Sequence, residues 1–152
     1  MKTTLKFTLA LMISFTMLIS CSTSDDSSDN SNDTQTVVST AQSGNWVITY
    51  YYDTDQDETS NFSGYTFTFG SNGVLTATNG GTTVTGTWSV TNSNSSDDSP
   101  NDLHFNIFFS SPANFADLSD DWEIISVTST KIRLTDVSGG NGGTDFLTFD
   151  KQ

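Results

Sequence analysis

The sequence has few of the side chains from which covalent, metal and nucleic-acid sites are built. Its 152 residues include one cysteine, one histidine and five lysines or arginines, against 18 acidic residues. A single cysteine excludes a disulfide framework and a multi-cysteine zinc or redox site, and a single histidine excludes a histidine-rich metal centre. The formal net charge of −13 argues against a nucleic-acid partner, which needs a dense basic patch. The length indicates one folded domain.

The N-terminus has the organisation of an export signal. Lys2 and Lys6 form a short positive region, and the apolar residues 7–19 follow. This apolar stretch is shorter than the ~20 residues of a membrane-spanning helix, so we expect a signal peptide over residues 1–20. The tetrapeptide Leu-Ile-Ser-Cys, which ends at Cys21, resembles the lipobox of bacterial lipoproteins. The alternative is an ordinary signal peptide with a chance cysteine.

The lipobox resemblance implies an outer-membrane lipoprotein whose lipid is carried by Cys21. Residues 21–43 would then be the lipidated cysteine followed by a disordered tether, because this Ser/Asp-rich segment has too little apolar mass to offset its ordering entropy. Residues 24–26, Ser-Asp-Asp, resemble the acidic export signal of surface lipoproteins in the Bacteroidetes group. We therefore expect exposure at the cell surface, with a periplasm-facing anchor as the alternative.

From residue 44 onward, apolar and polar residues alternate with the period of half-buried strands. Eight such stretches are joined by hairpin signals and interrupted by one helical segment at 112–118, in which Phe115 and Leu118 face inward. The pattern predicts an all-β domain over residues 44–152, a small eight-stranded antiparallel up-and-down barrel with one short helix. The predicted strands begin near residues 46, 65, 74, 82, 103, 122, 131 and 146.

Strand parity also predicts which way particular side chains point. In the first strand Trp46, Ile48, Tyr50 and Tyr52 would share the inner face, with Tyr51 outside. Two further irregularities are expected. Parity breaks at residues 124–125, which predicts a bulge, and the glycine at position 86 predicts a bulge or a close backbone approach.

Five short segments of the body resemble the lipocalin-like domain of secreted lipoproteins of the Bacteroidetes group. They lie at residues 44–46 (Gly-Asn-Trp), 64–69, 86–88, 121–123 and 131–134. The resemblance implies a barrel whose base is closed by Trp46, with a basic residue from a late strand packed over the indole ring. Arg133 is the candidate for that residue, and Lys131 is the alternative.

The same resemblance implies a binding module for a small apolar molecule. We expect no enzymatic activity, because the acidic residues lie in serine-rich loops where they are neither buried nor fixed, and we expect no cofactor. The pocket would be surrounded by residues 53–62, 92–101 and 110–120, and we expect a monomer. The candidate pocket residues are Tyr50, Phe67, Phe69, Trp88 and Phe105. The alternative is a barrel filled by these side chains, without a small-molecule ligand, that serves as a spacer or adhesin. An eight-stranded barrel is just wide enough for either arrangement.

The acidic residues are weak candidates for a cation site. Asp53, Asp55 and Asp57 alternate as at the start of a calcium loop, because Ca²⁺ takes several oxygen ligands. The rest of that loop pattern is missing, since Glu58 occupies the place of the required glycine. The simpler interpretation is a solvated loop between the first two strands, and no metal site is expected.

Overall fold

The computed structural model describes residues 34–92, 103–137 and 143–152. These ranges contain three helices: α1 (Thr34–Gln42), a 3₁₀ helix (Thr59–Phe62) and α2 (Ala113–Ala116). The strands are β1 (Asn45–Asp53), β2 (Gln56–Asp57), β3 (Thr66–Phe69), β4 (Val74–Asn79), β5 (Thr82–Asn92), β6 (Leu103–Phe108), β7 (Asp120–Val127), β8 (Lys131–Val137) and β9 (Thr144–Lys151). Within the described residues, no helix has the length and apolar character needed to cross a membrane.

Eight of the strands form a closed antiparallel barrel. From β3 to β9 each strand pairs with the next along the chain, and β1 pairs with both β3 and β9. The two-residue strand β2 only extends the end of β1 as a small hairpin. The predicted all-β up-and-down barrel is therefore confirmed, because the period-two pattern puts one apolar face of every strand on a common interior.

The barrel has two ends, which we call proximal and distal. The proximal end is where β1 begins and β9 ends, and the distal end is opposite. Because successive connections in a meander alternate between ends, residues 53–62 and 110–120 lie at the distal end, whereas β5 ends and β6 begins at the proximal end. Two of the three segments expected around one mouth, residues 53–62 and 110–120, therefore share the distal end, whereas Asn92 of the third lies at the proximal end; residues 93–101 lie outside the described residues.

Helix α1 corrects the predicted boundary between tether and domain. Val37 and Ala41, one helical turn apart, are fully buried at the proximal end of the barrel. The indole Nε1 of Trp46 donates a hydrogen bond of 2.8 Å to the carbonyl oxygen of Ala41. The described fold thus includes residues 34–43, which were expected to be disordered. Cys21, the proposed lipid carrier, lies outside the described residues.

A bulge in β1 reverses the predicted facing of its tyrosines. The pairing of β1 with β9 shifts register between Ile48 and Tyr50. As a result Tyr51 is buried, whereas Tyr50 is 40% exposed on the outer face. The assignment of Tyr50 to the interior and the outward placement of Tyr51 are both wrong, because the extra residue changes the parity of the strand. In β7 the bulge predicted at residues 124–125 is confirmed.

Candidate functional site

The four other candidate pocket residues all lie in the barrel interior. Phe67 and Phe69 of β3, Trp88 of β5 and Phe105 of β6 are buried, with side chains at most 6% exposed. The indole Nε1 of Trp88 donates to the carbonyl oxygen of Gly70 at 3.0 Å, so its polar atom is satisfied. Strand alternation alone placed these four residues correctly.

Their rings meet across the middle of the barrel. The ring centroid of Phe69 lies 5.4 Å from that of Phe105 in β6 and 5.5 Å from that of Phe149 in β9. None of the strands β3, β6 and β9 is a neighbour of another around the barrel. The Trp88 ring contacts Phe69 at 5.1 Å and Phe105 at 5.7 Å. The predicted pocket walls therefore touch one another across the interior. The three pairs made by Phe69 are edge-to-face and the Trp88–Phe105 pair is stacked, and both geometries favour aromatic packing.

A lysine that sequence analysis missed occupies the position over Trp46. The ammonium Nζ of Lys151 lies 5.6 Å from the centroid of the Trp46 ring and donates to the hydroxyl of Ser43 at 2.7 Å. Lys151 is the β9 residue directly opposite Trp46. The signal was available in the sequence, since closing the barrel makes the last strand a neighbour of the first.

Neither basic residue expected over Trp46 takes that position. Arg133 is exposed on the outer face of β8, between the buried residues Ile132 and Leu134. It lies opposite Thr148 of β9. Lys131 forms an ion pair with Asp150, with Nζ and Oδ1 2.6 Å apart. This pair and the hydrogen bond from Thr49 hold the pKa of the Asp150 carboxyl below its usual range. The prediction of Arg133 at the barrel base is therefore wrong.

The distal end is closed by aromatic side chains from α2 and the 3₁₀ helix. Phe115 of α2 is fully buried, as predicted. Its ring centroid lies 5.3 Å from that of Phe62, 5.1 Å from Phe109 and 6.1 Å from Phe67. With α1 at the proximal end, both ends of the barrel are covered by helices with buried apolar side chains.

The buried Tyr51 joins this distal cover to the barrel wall. Its hydroxyl donates to the carbonyl oxygen of Asp117 at 2.7 Å, and its ring contacts those of Phe62 and Trp122. Burial raises the pKa of the Tyr51 hydroxyl, and nearby carboxylates, Asp53 foremost, raise it further. The hydroxyl is therefore neutral, and it serves as a hydrogen-bond donor. Sequence reasoning missed this residue because the bulge in β1 has no local sequence signal.

Two of the three carboxylates weighed as calcium ligands, those of Asp53 and Asp57, accept hydrogen bonds within their own turn. Asp53 accepts from the hydroxyl of Thr54 at 3.0 Å, and Asp57 accepts from the backbone N–H of Thr59 at 3.0 Å. The hydrogen bonds from Thr59 lower the pKa of Asp57. The backbone N–H of Asp55 donates to the carbonyl of Asp53. Across the three described ranges, no three acidic, histidine or cysteine side chains are arranged to hold a metal ion.

One carboxyl near the distal end has a strongly raised pKa. Burial is the main cause, and Asp136 and Asp121 add to it, so that the pKa of Asp120 rises to about 6. The Oδ1 atom of Asp120 accepts a hydrogen bond of 2.8 Å from the backbone N–H of Asp121. This carboxyl is therefore protonated at mildly acid pH and charged above it.

The outer face of β5 and β6 carries a shallow hollow of about 280 Å³. Its lining includes Thr87, Ser89, Asn106 and Phe108. In the strand register Thr87 lies opposite Phe108, and Ser89 lies opposite Asn106. The Phe108 side chain is 58% exposed, so the hollow combines an accessible aromatic ring with hydroxyl and amide groups.

Gly86 holds β5 and β6 close together beside this hollow. A Cβ atom at position 86 would lie 2.6 Å from Cδ1 of the Phe109 ring and in contact with the carbonyl oxygen of Phe108. Both contacts are too close for a Cβ atom, so any side chain at position 86 would require a shift of the neighbouring strand. The predicted close approach at Gly86 is confirmed.

No family model matches this chain, and no curated protein matches it. Among solved structures, the chain is similar to a DUF4847 family protein from Bacteroides vulgatus, at 16% sequence identity and a TM-score of 0.43. That alignment covers 74% of this chain and 96% of the other.

Proposed function

We propose that this chain is an outer-membrane lipoprotein, anchored through a lipid on Cys21 and exposed at the cell surface. In this proposal its barrel is a monomeric, non-enzymatic interaction module that works through its outer surface. The contact of the Phe69, Phe105 and Phe149 rings across the barrel supports the proposal that the barrel works through its outer surface. An interior filled in this way has no place for a small apolar ligand.

The filled interior distinguishes this proposal from the ligand-carrying function that the lipocalin-like resemblance implies. Small-molecule sites are concave spaces of about 300–1,000 Å³ that are largely formed before the ligand binds. Here an interior ligand would have to separate rings that already contact each other, and it would have to pass helices at either end. The contact energies lost in that step, about 0.5–1.5 kcal/mol for each aromatic pair beyond its area burial, oppose binding.

The N-terminal sequence supports the lipid anchor. A short positive region, an apolar stretch and the chain's single cysteine follow one another in the order that lipidation requires. A diacyl anchor would give stable attachment, since two acyl chains are needed where one is marginal. Without the signal peptide, which contains Lys2 and Lys6, three basic residues remain against 18 acidic ones, a net charge of −15. This charge repels the body from an anionic membrane surface over roughly 8 Å, which favours exposure of the barrel to solvent.

Cell fractionation tests the anchor. The native chain should be found with the membranes and be extracted only by detergent, whereas a Cys21→Ser variant should be released. A Ser22→Ala variant is the matched control, because it changes the adjacent residue and leaves the cysteine in place. If Cys21→Ser still sediments with the membranes, the lipoprotein assignment is wrong.

Native mass spectrometry tests the filled interior. The full chain with Cys21→Ser, prepared from its own cells without detergent, should show only the protein mass. The neutral apolar dye Nile red should give no fluorescence increase with the same sample. A co-purified molecule of lipid or terpenoid type, released by solvent extraction, would contradict the filled barrel and restore the ligand-carrying function.

A further inference from the structure

We infer that the hollow on the outer face of β5 and β6 is a binding site for a neutral oligosaccharide. This inference rests on the proposed function, because it names the ligand class that the outer surface recognises. The groups that would bind it come from three neighbouring strands. Ser89, Asn106 and Asp121 follow one another in one cross-strand row, and Phe108 lies two residues beyond Asn106.

Hydrogen bonds fix the amide at the centre of the row. The Nδ2 atom of Asn106 donates to the hydroxyl of Ser89 at 3.2 Å and to that of Thr91 at 3.0 Å. The same nitrogen also lies 3.4 Å from the backbone carbonyl oxygens of Ser89 and His104, so the amide is held between groups of β5 and β6. Because the side chain is already ordered, a ligand that accepts or donates here does not have to restrict its rotation again.

The chemistry of the row fits a sugar. The exposed face of Phe108 carries the partial negative charge of its π-system and attracts the C–H groups on the flat side of a pyranose ring. The row also offers hydroxyl and amide groups and the carboxylate of Asp121, whose side chain is 70% exposed. These groups match the alternating donors and acceptors of sugar hydroxyls. An aromatic ring beside polar groups at fixed spacing can therefore bind one or two sugar rings.

Charge selects a neutral sugar over an acidic one. The six residues that line the hollow are uncharged, and Asp121 and Glu123 of β7 lie beside them on the same outer face. The chain as a whole carries a net charge of −13. The Asp121 and Glu123 carboxylates would repel an anionic glycan, and the nearby His104, whose Nδ1 lies 3.6 Å from Oδ2 of Asp121, is already engaged by that carboxylate. A neutral glycan meets no such repulsion.

The size of the hollow argues against a protein partner. A specific protein interface involves about 20–30 residues on each side. The hollow is shallow and is lined by six residues, far fewer than such an interface involves. A patch of this extent suits one or two sugar rings of a longer chain.

A glycan array tests the site. The full chain is purified in a detergent that has no sugar headgroup and applied to neutral oligosaccharides of glucose, galactose, mannose and xylose, with sialylated oligosaccharides on the same array. We expect binding to a subset of the neutral glycans and none to the sialylated ones. Phe108→Ala should weaken that binding at least tenfold by removing the stacking ring.

The matched control is Tyr50→Ala. It removes another exposed aromatic ring, from β1 on the opposite side of the barrel, and should leave the binding unchanged. Both variants should keep the native melting temperature within a few degrees, which separates loss of binding from loss of fold.

Three results would overturn the inference: no neutral glycan binds, Phe108→Ala binds as well as the native chain, or Tyr50→Ala loses binding instead. The first of these, found with a membrane-anchored chain free of interior ligand, would refute the sugar site and leave the proposed function intact.

Discussion

The substitution Phe69→Ala measures how completely the barrel is filled. The Phe69 ring contacts Trp88, Phe105 and Phe149 from three other strands and is 2% exposed. Truncation removes the transfer free energy of the ring and leaves a cavity that rigid strands cannot close. Such changes cost about 3–5 kcal/mol, and for a domain of this size each kcal/mol corresponds to roughly 4 °C in Tm. We expect the free energy of unfolding to fall by that amount and Tm by about 12–20 °C.

Urea denaturation followed by tryptophan fluorescence gives the difference in free energy, provided that the m-value is unchanged. Phe108→Ala is the control, since it removes the same ring from the surface and should change stability by about 0.5 kcal/mol or less. The cavity in Phe69→Ala should also bind benzene, as engineered apolar cavities do, and recover part of the lost Tm. A loss below about 1 kcal/mol for Phe69→Ala would refute the filled interior, because a ring that lines an open cup has few contacts to lose.

Three other substitutions test separate features. Lys151→Met should destabilise the fold by about 0.5–2 kcal/mol in thermal denaturation, through loss of the cation–π contact with Trp46; an unchanged Tm would contradict that contact. Gly86→Ala should cost about 1–3 kcal/mol in urea denaturation, because its Cβ overlaps the Phe109 ring; a neutral result would mean that β5 and β6 are free to separate. Asp120 has a pKa raised to about 6 against about 3.9 when unfolded, so its contribution to stability is full below about pH 3.9 and is lost as pH rises through 6. Asp120→Asn should therefore gain in stability relative to the native chain between pH 4 and pH 7, and a constant difference would contradict the raised pKa.

The strand pattern made the barrel and most of its interior predictable. Phe67 and Phe69 are separated by one threonine, as are Leu147 and Phe149. Because side chains alternate between the two faces of a strand, both members of such a pair must point to the same face. The same rule failed at Tyr50 and Tyr51. A single extra residue in β1 reverses parity, and its position depends on pairing with β9, about a hundred residues away in sequence.

The helix at the proximal end could not be read from local sequence. Val37 and Ala41 provide only a narrow apolar stripe among serines and threonines, and an isolated helix of nine residues is marginal in water. Its stability comes from docking on the barrel, where Trp46 bonds to its last turn. The placement of Lys151 over that tryptophan follows from closure of the barrel, which the sequence predicted; the register that puts Lys151 opposite Trp46 depends on tertiary pairing.

The pairing of β1 with β9 makes completion of the fold depend on its final strand. The hydroxyl of Thr49 donates to Asp150 across a separation of 101 residues, so this seam joins the earliest and latest strands of the chain. Until β9 is in place, β1 and β8 are both open edges with unpaired backbone groups, which are templates for aggregation. Loss of the last eight or nine residues would therefore expose two edges at once, and the damage would exceed the loss of one strand's own contacts.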